Sequence, residues 1–452
     1  MATHRKSGWK KTLAPLALLA TATLLMSGCS GGDGGGGSTD GASGGEITYW
    51  ASNQGTSLED DKKRLEPTLK RFEEETGTKV NLEVIPWSDL YMRILTAVSS
   101  GDGPDVLNIG NTWAVTLQET GAFEPVEGKL LEAVGGQDRF IQSSWDTGGK
   151  KGAAHTSVPL YGLAYNMYYN TKLFEEAGIT EPPATWEEFI EVGKKLTKDT
   201  DGDGTIDQWG YSGAGASLSD NSHQAFAKGL QHGSTLFTDD DKPQFAADGI
   251  VQGVNDYVSL MAEHKIMSPS DAELTDSTPV VTNLIDGKAA MIFNQSPIKN
   301  FEARDFTDWG VAMVPMIDPL AAGGEPIVSH VAGINLSVFK NAKNKDAAID
   351  FVGFLTSTDE QIALNKTFTS LPVVTDAYSD EAFQSEEVKL KQQTLENNSA
   401  PMPLVSSEGQ METLVGTALK DLFAKATTGA VSEADITKAL SDANDQMSAA
   451  IG

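Results

Sequence analysis

From Glu46 onward the chain alternates short apolar runs with longer amphipathic stretches, and that ordering restricts the fold more than any other feature. Ile47-Thr48-Tyr49-Trp50, the period-two run from Lys79 to Ile85, and Asp105-Val106-Leu107-Asn108-Ile109 read as strands. Helical stretches separate them, over about residues 59–75, with Pro67 inside, and 88–99. Strand, helix, strand, helix, strand requires right-handed crossovers and a mostly parallel sheet flanked by helices, so the fold class is α/β. Ligands of such sheets bind beyond the carboxyl ends of the strands. Those ends lead here into Asn53 and Gln54, into Pro86 and Trp87, and into Asn111, Thr112 and Trp113. A helix cap or a core position is the competing explanation for each residue alone; three adjacent loops bearing amides, hydroxyls and two indoles make a stronger case together.

A second unit follows. Residues 158–162 and 164–169 are strand-like, and a short helix from Thr171 stops at Gly178. Thr185 and Glu188 form a capping box for a helix whose inner face carries Trp186, Phe189, Ile190, Gly193 and Leu196, a core pattern. Residues 287–293 and 309–314 are further strands, 345–355 is an amphipathic helix, Thr358 with Gln361 opens another, and the tail 408–451 reads as helices separated near Thr428 and Gly429. Without a repeat of 20 to 50 residues, solenoids and propellers are disfavoured.

Composition removes several functions. With 34 basic against 63 acidic residues, a net charge of −29 opposes nucleic acid or anionic lipid as partner. One cysteine, Cys29, precludes an intrachain disulfide, and six scattered histidines give no zinc-ligand spacing. No Gly-x-Ser-x-Gly, His-Glu-x-x-His or Gly-x4-Gly-Lys-Ser/Thr motif is present.

The N-terminus is a targeting segment. Arg5, Lys6, Lys10 and Lys11 precede an apolar stretch from Leu13 to Met26, too short to span a bilayer, and then Ser27, Gly28 and Cys29. Met26-Ser27-Gly28-Cys29 resembles the lipobox of bacterial lipoproteins, with Met26 where Leu is usual. That resemblance implies a signal peptide over 1–28, cleavage before Cys29, acylation of its thiol, and an extracytoplasmic protein held to the membrane by lipid alone. Residues 30–45 hold nine glycines and no large apolar side chain, the composition of a flexible tether; the tether with its lipidated cysteine is 29–45.

Beyond it, six ordered segments carry a wider resemblance: Ser100-Gly101-Asp102-Gly103-Pro104-Asp105-Val106, Leu173-Phe174-Glu175-Glu176-Ala177-Gly178-Ile179, Pro183-Ala184-Thr185-Trp186-Glu187-Glu188-Phe189, Gly287-Lys288-Ala289-Ala290-Met291, residues 347–355, and Ser370-Leu371-Pro372. In this order they resemble the solute-binding proteins of carbohydrate-type ABC importers, the family that includes the maltose-binding proteins. The resemblance implies two α/β lobes on a hinge, lobe one from 46–158 plus 306–357 and lobe two from 159–305 plus 358–452. It also implies a monomer that catalyses nothing, needs no cofactor, binds a sugar or polyol between the lobes, and hands it to membrane permease subunits. Asn53, Gln54, Asn111, Thr112 and Trp113 would come from lobe one and Tyr161, Tyr165, Asn294, Gln295 and Ser296 from lobe two, with His330 and Gly333 in a loop lining the cleft. Such residues suit hydroxyls and the apolar face of a pyranose. Gln295-Ser296-Pro297 stands where the family commonly places Gly-x-Trp, leaving Trp113 or Tyr161 as the stacking ring. An exported carbohydrate-active enzyme with two carboxylates across a cleft is the alternative.

The segment 199–207 matches much of an EF-hand loop. Asp199, Asp201, Asp203, the Thr205 carbonyl and Asp207 are the expected ligands of a structural calcium ion, with Gly204 as the turn glycine and Gly210 in place of the usual bidentate Glu. A solvated Asx-turn loop without metal is the other reading.

Overall fold

The computed structural model describes residues 45–451 apart from Thr56. The expected signal peptide, the lipidation site Cys29 and all but the last residue of the tether lie outside the described residues. Among the described residues, no helix is long and apolar enough to cross a membrane.

The strands are β1 (Glu46–Ser52), β2 (Lys79–Ile85), β3 (Val106–Gly110), β4 (Val158–Leu163), β5 (Asn166–Asn170), β6 (Trp209–Ser212), β7 (Ala289–Asn294), β8 (Trp309–Ala312), β9 (Ser329–His330), β10 (Ala332–Val338) and β11 (Ser399–Ala400). One sheet has the order β2-β1-β3-β10-β4; β10 runs antiparallel to β3 and to β4, so the other four strands point the same way. The other sheet has the order β6-β7-β5-β8, with β5 alone reversed. Each sheet anchors one lobe.

Local chemistry sets the helices. Ser57 caps Leu58–Thr76 by accepting from the Asp60 N–H, Glu59, Asp60 and Asp61 sit at the positive end of its dipole, and Gly77 ends it at φ 71°. Around Trp186–Leu196 the capping box is present in full, Thr185 accepting from Glu188 N–H while Glu188 accepts from Thr185 N–H. Its Trp186, Phe189 and Leu196 are buried in the core of lobe two, as the pattern required. The helix Thr358–Phe368 is capped one residue earlier than the sequence suggested, by Ser357 on Glu360 N–H. Gln361 is wholly buried instead, donating to the carbonyls of Leu160 and Leu355 and accepting from Val373 N–H.

Contacts move the lobe boundaries expected at 158, 306 and 358. All of β4 belongs to the first sheet, and Trp309–Ala312, assigned by sequence to lobe one, pairs with β5 in the second. Thr358–Phe368 and Glu386–Asn397, assigned to lobe two, pack on lobe one: Leu364, Val373 and Val374 join the core around Tyr49, Phe72 and Phe351, and Arg71 grips Glu360 at 2.6 and 2.8 Å. Apolar faces on these segments draw the chain back over the first sheet before it crosses again. Three passages therefore connect the lobes, between β4 and β5, between β8 and β10, and after Asn397. The last two pair with each other as the short parallel ribbon of β9 and β11.

Candidate functional site

On lobe one the carboxyl ends of β1, β2 and β3 converge as the topology requires. Asn53 uses its side-chain carbonyl to accept from Trp87 N–H at 3.1 Å, anchoring the start of the helix Trp87–Ser100. One turn on, Tyr91 shares that helix face with Trp87. Their rings lie 5.0 and 5.3 Å from that of Trp113, making a three-ring group with Trp87 36% exposed. Asn111 is buried and donates to the Val331 carbonyl at 2.7 Å, tying the turn after β3 to the hinge. Beside it Asn111, Thr112, Thr147, Val331 and Pro401 enclose a void of about 10 Å³, room for at most one water.

The hinge carries Tyr165 and His330. Tyr165 is held by its backbone N–H on Ser329 Oγ and donates its phenol to Asp220 Oδ1 at 2.7 Å. The Tyr165 phenol oxygen also lies 3.3 Å from His223 Nδ1 and bonds the Gln295 side chain. His223 stacks on His330 with centroids 3.7 Å apart, and its Nε2 is 3.0 Å from Glu412 Oε1. A continuous polar line thus runs from Asp220 through Tyr165 and His223 to Glu412. Burial and the Asp220 charge push the Tyr165 phenol far up, so it stays a donor; burial, then His223, hold His330 well below the usual histidine range, so it is neutral.

Glu408 ends this line. It opens the helix Glu408–Ala426, is 1% exposed, and its carboxyl hydrogen-bonds that of Glu412. Burial, then the charge of Glu412, push its carboxyl far above the ordinary range. A helix N-terminus offers up to ~2 kcal/mol, against several kcal/mol for desolvating a carboxylate. Glu408 is therefore held as the neutral acid, donating its proton to Glu412. The Tyr91 phenol of lobe one is raised by burial, then by Glu408, so the Glu408 carboxyl lies near the aromatic group of the other lobe.

Several expected residues sit elsewhere. Tyr161 is 2% exposed, packed in the lobe-one core against Phe368 with its phenol on the Gln54 side chain, so it offers no stacking face. Gln54 is itself tethered, its N–H on Asp61 Oδ2. Gly333 belongs to β10 rather than a cleft loop: a Cβ there would sit 2.3 Å from the Tyr161 carbonyl, so it is glycine to let β10 close on β4. Asn294 folds back to accept from Ser296 N–H, Ser296 Oγ is 3.4 Å from the Thr369 carbonyl, and only Gln295 of that turn reaches Tyr165. Sequence reasoning missed Tyr91, Asp220, His223, Glu408 and Glu412. The signals were faint: Tyr91 one turn after Trp87, and Ser217 capping the helix of Asp220 and His223.

In the acidic loop the carboxylates of Asp199, Asp201 and Asp207 lie within 4.8 Å of one another, and Asp203 is not among them. Asp203 accepts from Thr205 N–H, and Asp199 accepts from the N–H of Gly204 and Gly202, bonds that hold its carboxyl below the usual range.

A two-lobed α/β molecule with three hinge passages and a polar, aromatic-flanked cleft is the form of a solute-binding protein. The sequence profile of the bacterial extracellular solute-binding proteins matches residues 55–362, and the chain belongs to that family. Members are binding components of ABC importers and not enzymes. Among relatives, the diacetylchitobiose binding protein of Streptomyces coelicolor is 30% identical over 41% of this chain and 43% of its own. The erythritol/L-threitol-binding protein of Mycolicibacterium smegmatis is 23% identical over 64% and 65%. The fold matches the ABC substrate-binding protein of Listeria monocytogenes in complex with cycloalternan at TM-score 0.74 and 18% identity, covering 90% of this chain and 99% of that one.

Proposed function

We propose that this chain captures a sugar or polyol between its lobes and delivers it to an ABC permease, as a monomer anchored outside the cytoplasm through an acylated Cys29. The observation that carries the reading is the pairing of the Trp87, Tyr91 and Trp113 rings on one side with the Asp220, Tyr165, His223 and Glu412 line on the other. Rings cover the apolar face of a pyranose, while alternating donors and acceptors match its hydroxyls. Relatives bearing the names of diacetylchitobiose- and erythritol/L-threitol-binding proteins support the ligand class. A sugar and polyol panel read by thermal shift tests it: a cognate ligand raises the melting temperature by mass action. A panel without any such shift, or turnover of a sugar, overturns it. The 199–207 loop fits a structural calcium ion through Asp199, Asp201 and Asp207, with the lobe-two melting temperature expected to fall when a chelator replaces calcium.

A further inference from the structure

We propose that two oppositely charged loops latch the lobes together, so that opening depends on ionic strength. Lys150 bridges to Asp241, its Nζ 3.6 Å from the Asp241 Oδ2, with Lys151 on one side and Asp239 and Asp240 on the other beside them. The two partners belong to different lobes. Lys150 lies in the loop leading to β4 of the first sheet, whereas Asp241 lies between Phe237 and Phe245, both buried in the core of lobe two. With 63 acidic against 34 basic residues, the compact state of this chain works against self-repulsion. At this place the sequence instead sets Gly148-Gly149-Lys150-Lys151-Gly152 on one lobe and Asp239-Asp240-Asp241 on the other, and even with Lys242 next to them the aspartates are in excess.

Both loops are fixed from behind. The Gln118 side chain clamps the lysine loop, accepting from the Lys150 N–H and donating to the Ala154 carbonyl, each at 2.6 Å. Gln118 stands on the helix Ala114–Glu119, which also carries Thr116, so the loop is tied to lobe one beyond the carboxyl end of β3. On lobe two a tight turn presents the aspartates: the Thr238 N–H donates to the Lys242 carbonyl at 2.8 Å, and the Asp241 N–H to the Thr238 carbonyl at 3.0 Å. Asp241 takes φ 58° there, a left-handed conformation that aspartate tolerates better than most residues. The side chains are exposed, and one isolated pair of this kind contributes little. Several charges together contribute more, and sequence neighbours sit about 3.8 Å apart along the backbone, inside the Debye length of about 8 Å at physiological salt. The attraction is lost when the lobes part and is screened as salt rises. A member of an extracellular family meets the ionic strength of its surroundings, which then sets how readily the lobes release what they enclose.

Single-molecule FRET on the ligand-free full-length chain tests this. Dyes go on cysteines introduced by Glu132→Cys in lobe one and Glu263→Cys in lobe two, both exposed positions, with Cys29→Ser to leave them unique. Raising sodium chloride from about 20 mM to about 1 M is expected to lower the closed-to-open ratio about two- to fivefold. Lys150→Gln together with Lys151→Gln should lower it by a similar factor at low salt and abolish the salt response. Lys150→Glu should lower it further, and adding Asp241→Lys to that variant should move the ratio back toward wild type. A wild-type ratio indifferent to salt, a salt response that survives the loss of both lysines, or a chain that is open under every condition overturns the inference. The carbohydrate reading stands in each of these cases, because no ligand enters the measurement.

Discussion

Glu408 and Lys228 are ionisable groups that the fold has taken out of water, and they carry opposite pH signatures. Glu408 binds its proton more tightly folded than unfolded, so stability falls as pH rises from the unfolded glutamate value, about 4.3, toward its raised folded value. Glu408→Gln is therefore expected to raise the ligand-free melting temperature at pH 7.5, by the equivalent of about 1–3 kcal/mol, with the gain vanishing near pH 4. Differential scanning calorimetry at both pH values checks the sign. Lys228 lies over the Trp186 ring at 3.3 Å, is 1% exposed, and has only the Pro315 carbonyl as acceptor at 3.4 Å; burial pushes its ammonium down to about 7. Here the unfolded state holds more protons between about pH 7 and 10.4, so stability climbs through that window. Lys228→Met should flatten this climb and stabilise the protein most below pH 7, which chemical melts at pH 6 and pH 10 would show. At the same scale, Trp113 and Gln295 were legible because they follow strand ends. Glu408 was not, because nothing local distinguishes a buried glutamate from the many solvated ones in an acidic chain.

Among elements, those with their own start and stop chemistry were readable. The Thr185 box and the amphipathic 345–355 stretch correspond to helices over Trp186–Leu196 and Lys345–Leu355, and the stretch read as 59–75 is the helix Leu58–Thr76. The helix Leu218–Gln231 had only its Ser217 cap. Every residue from Asn221 to Gln231 is buried, polar ones included, and tertiary partners take up much of their bonding: Asn221 donates to Gly215, though its Oδ1 has no partner, and Gln231 donates to Ile327 and accepts from Ile317 N–H. A helix buried on all sides with polar groups on every face shows no apolar stripe. It packs against Asp248–Ala262 at close range, and a Cβ on Gly253 would stand 2.7 Å from the Lys228 backbone carbon. Gly253→Ala must push the helices apart and is expected to cost about 1–3 kcal/mol. Urea unfolding would report the loss, with ligand affinity changing little because the contact lies behind the cleft.

For the whole molecule, two lobes followed from the sequence, but their exchange points did not: the β4–β5 passage is only Ala164 and Tyr165, and the breakers in the others, Pro315, Pro319, Pro326, Pro401 and Pro403, mark loops without saying which sheet the chain joins next. They are fixed by which sheet each apolar face meets. The hinge ribbon pairs Ser329 with Ser399 and His330 with Ala400, so bending there reorients both passages together and moves His330 against His223. Closure is also held at the mouth: Thr116 of lobe one donates its hydroxyl at 2.8 Å to the carbonyl of Ser406, on the passage leading into Glu408–Ala426. Opening of the lobes is expected to break this bond. Thr116→Val keeps the shape and deletes the donor, removing about 0.5–1.5 kcal/mol from the closed state alone. Because apparent affinity scales with the fraction of molecules competent to close, the dissociation constant should rise about two- to tenfold. The change should fall mainly on the dissociation rate, measured by stopped-flow tryptophan fluorescence, while the ligand-free melting temperature stays near wild type. A variant that lost stability without ligand but kept its affinity would place this contact in the fold rather than in closure.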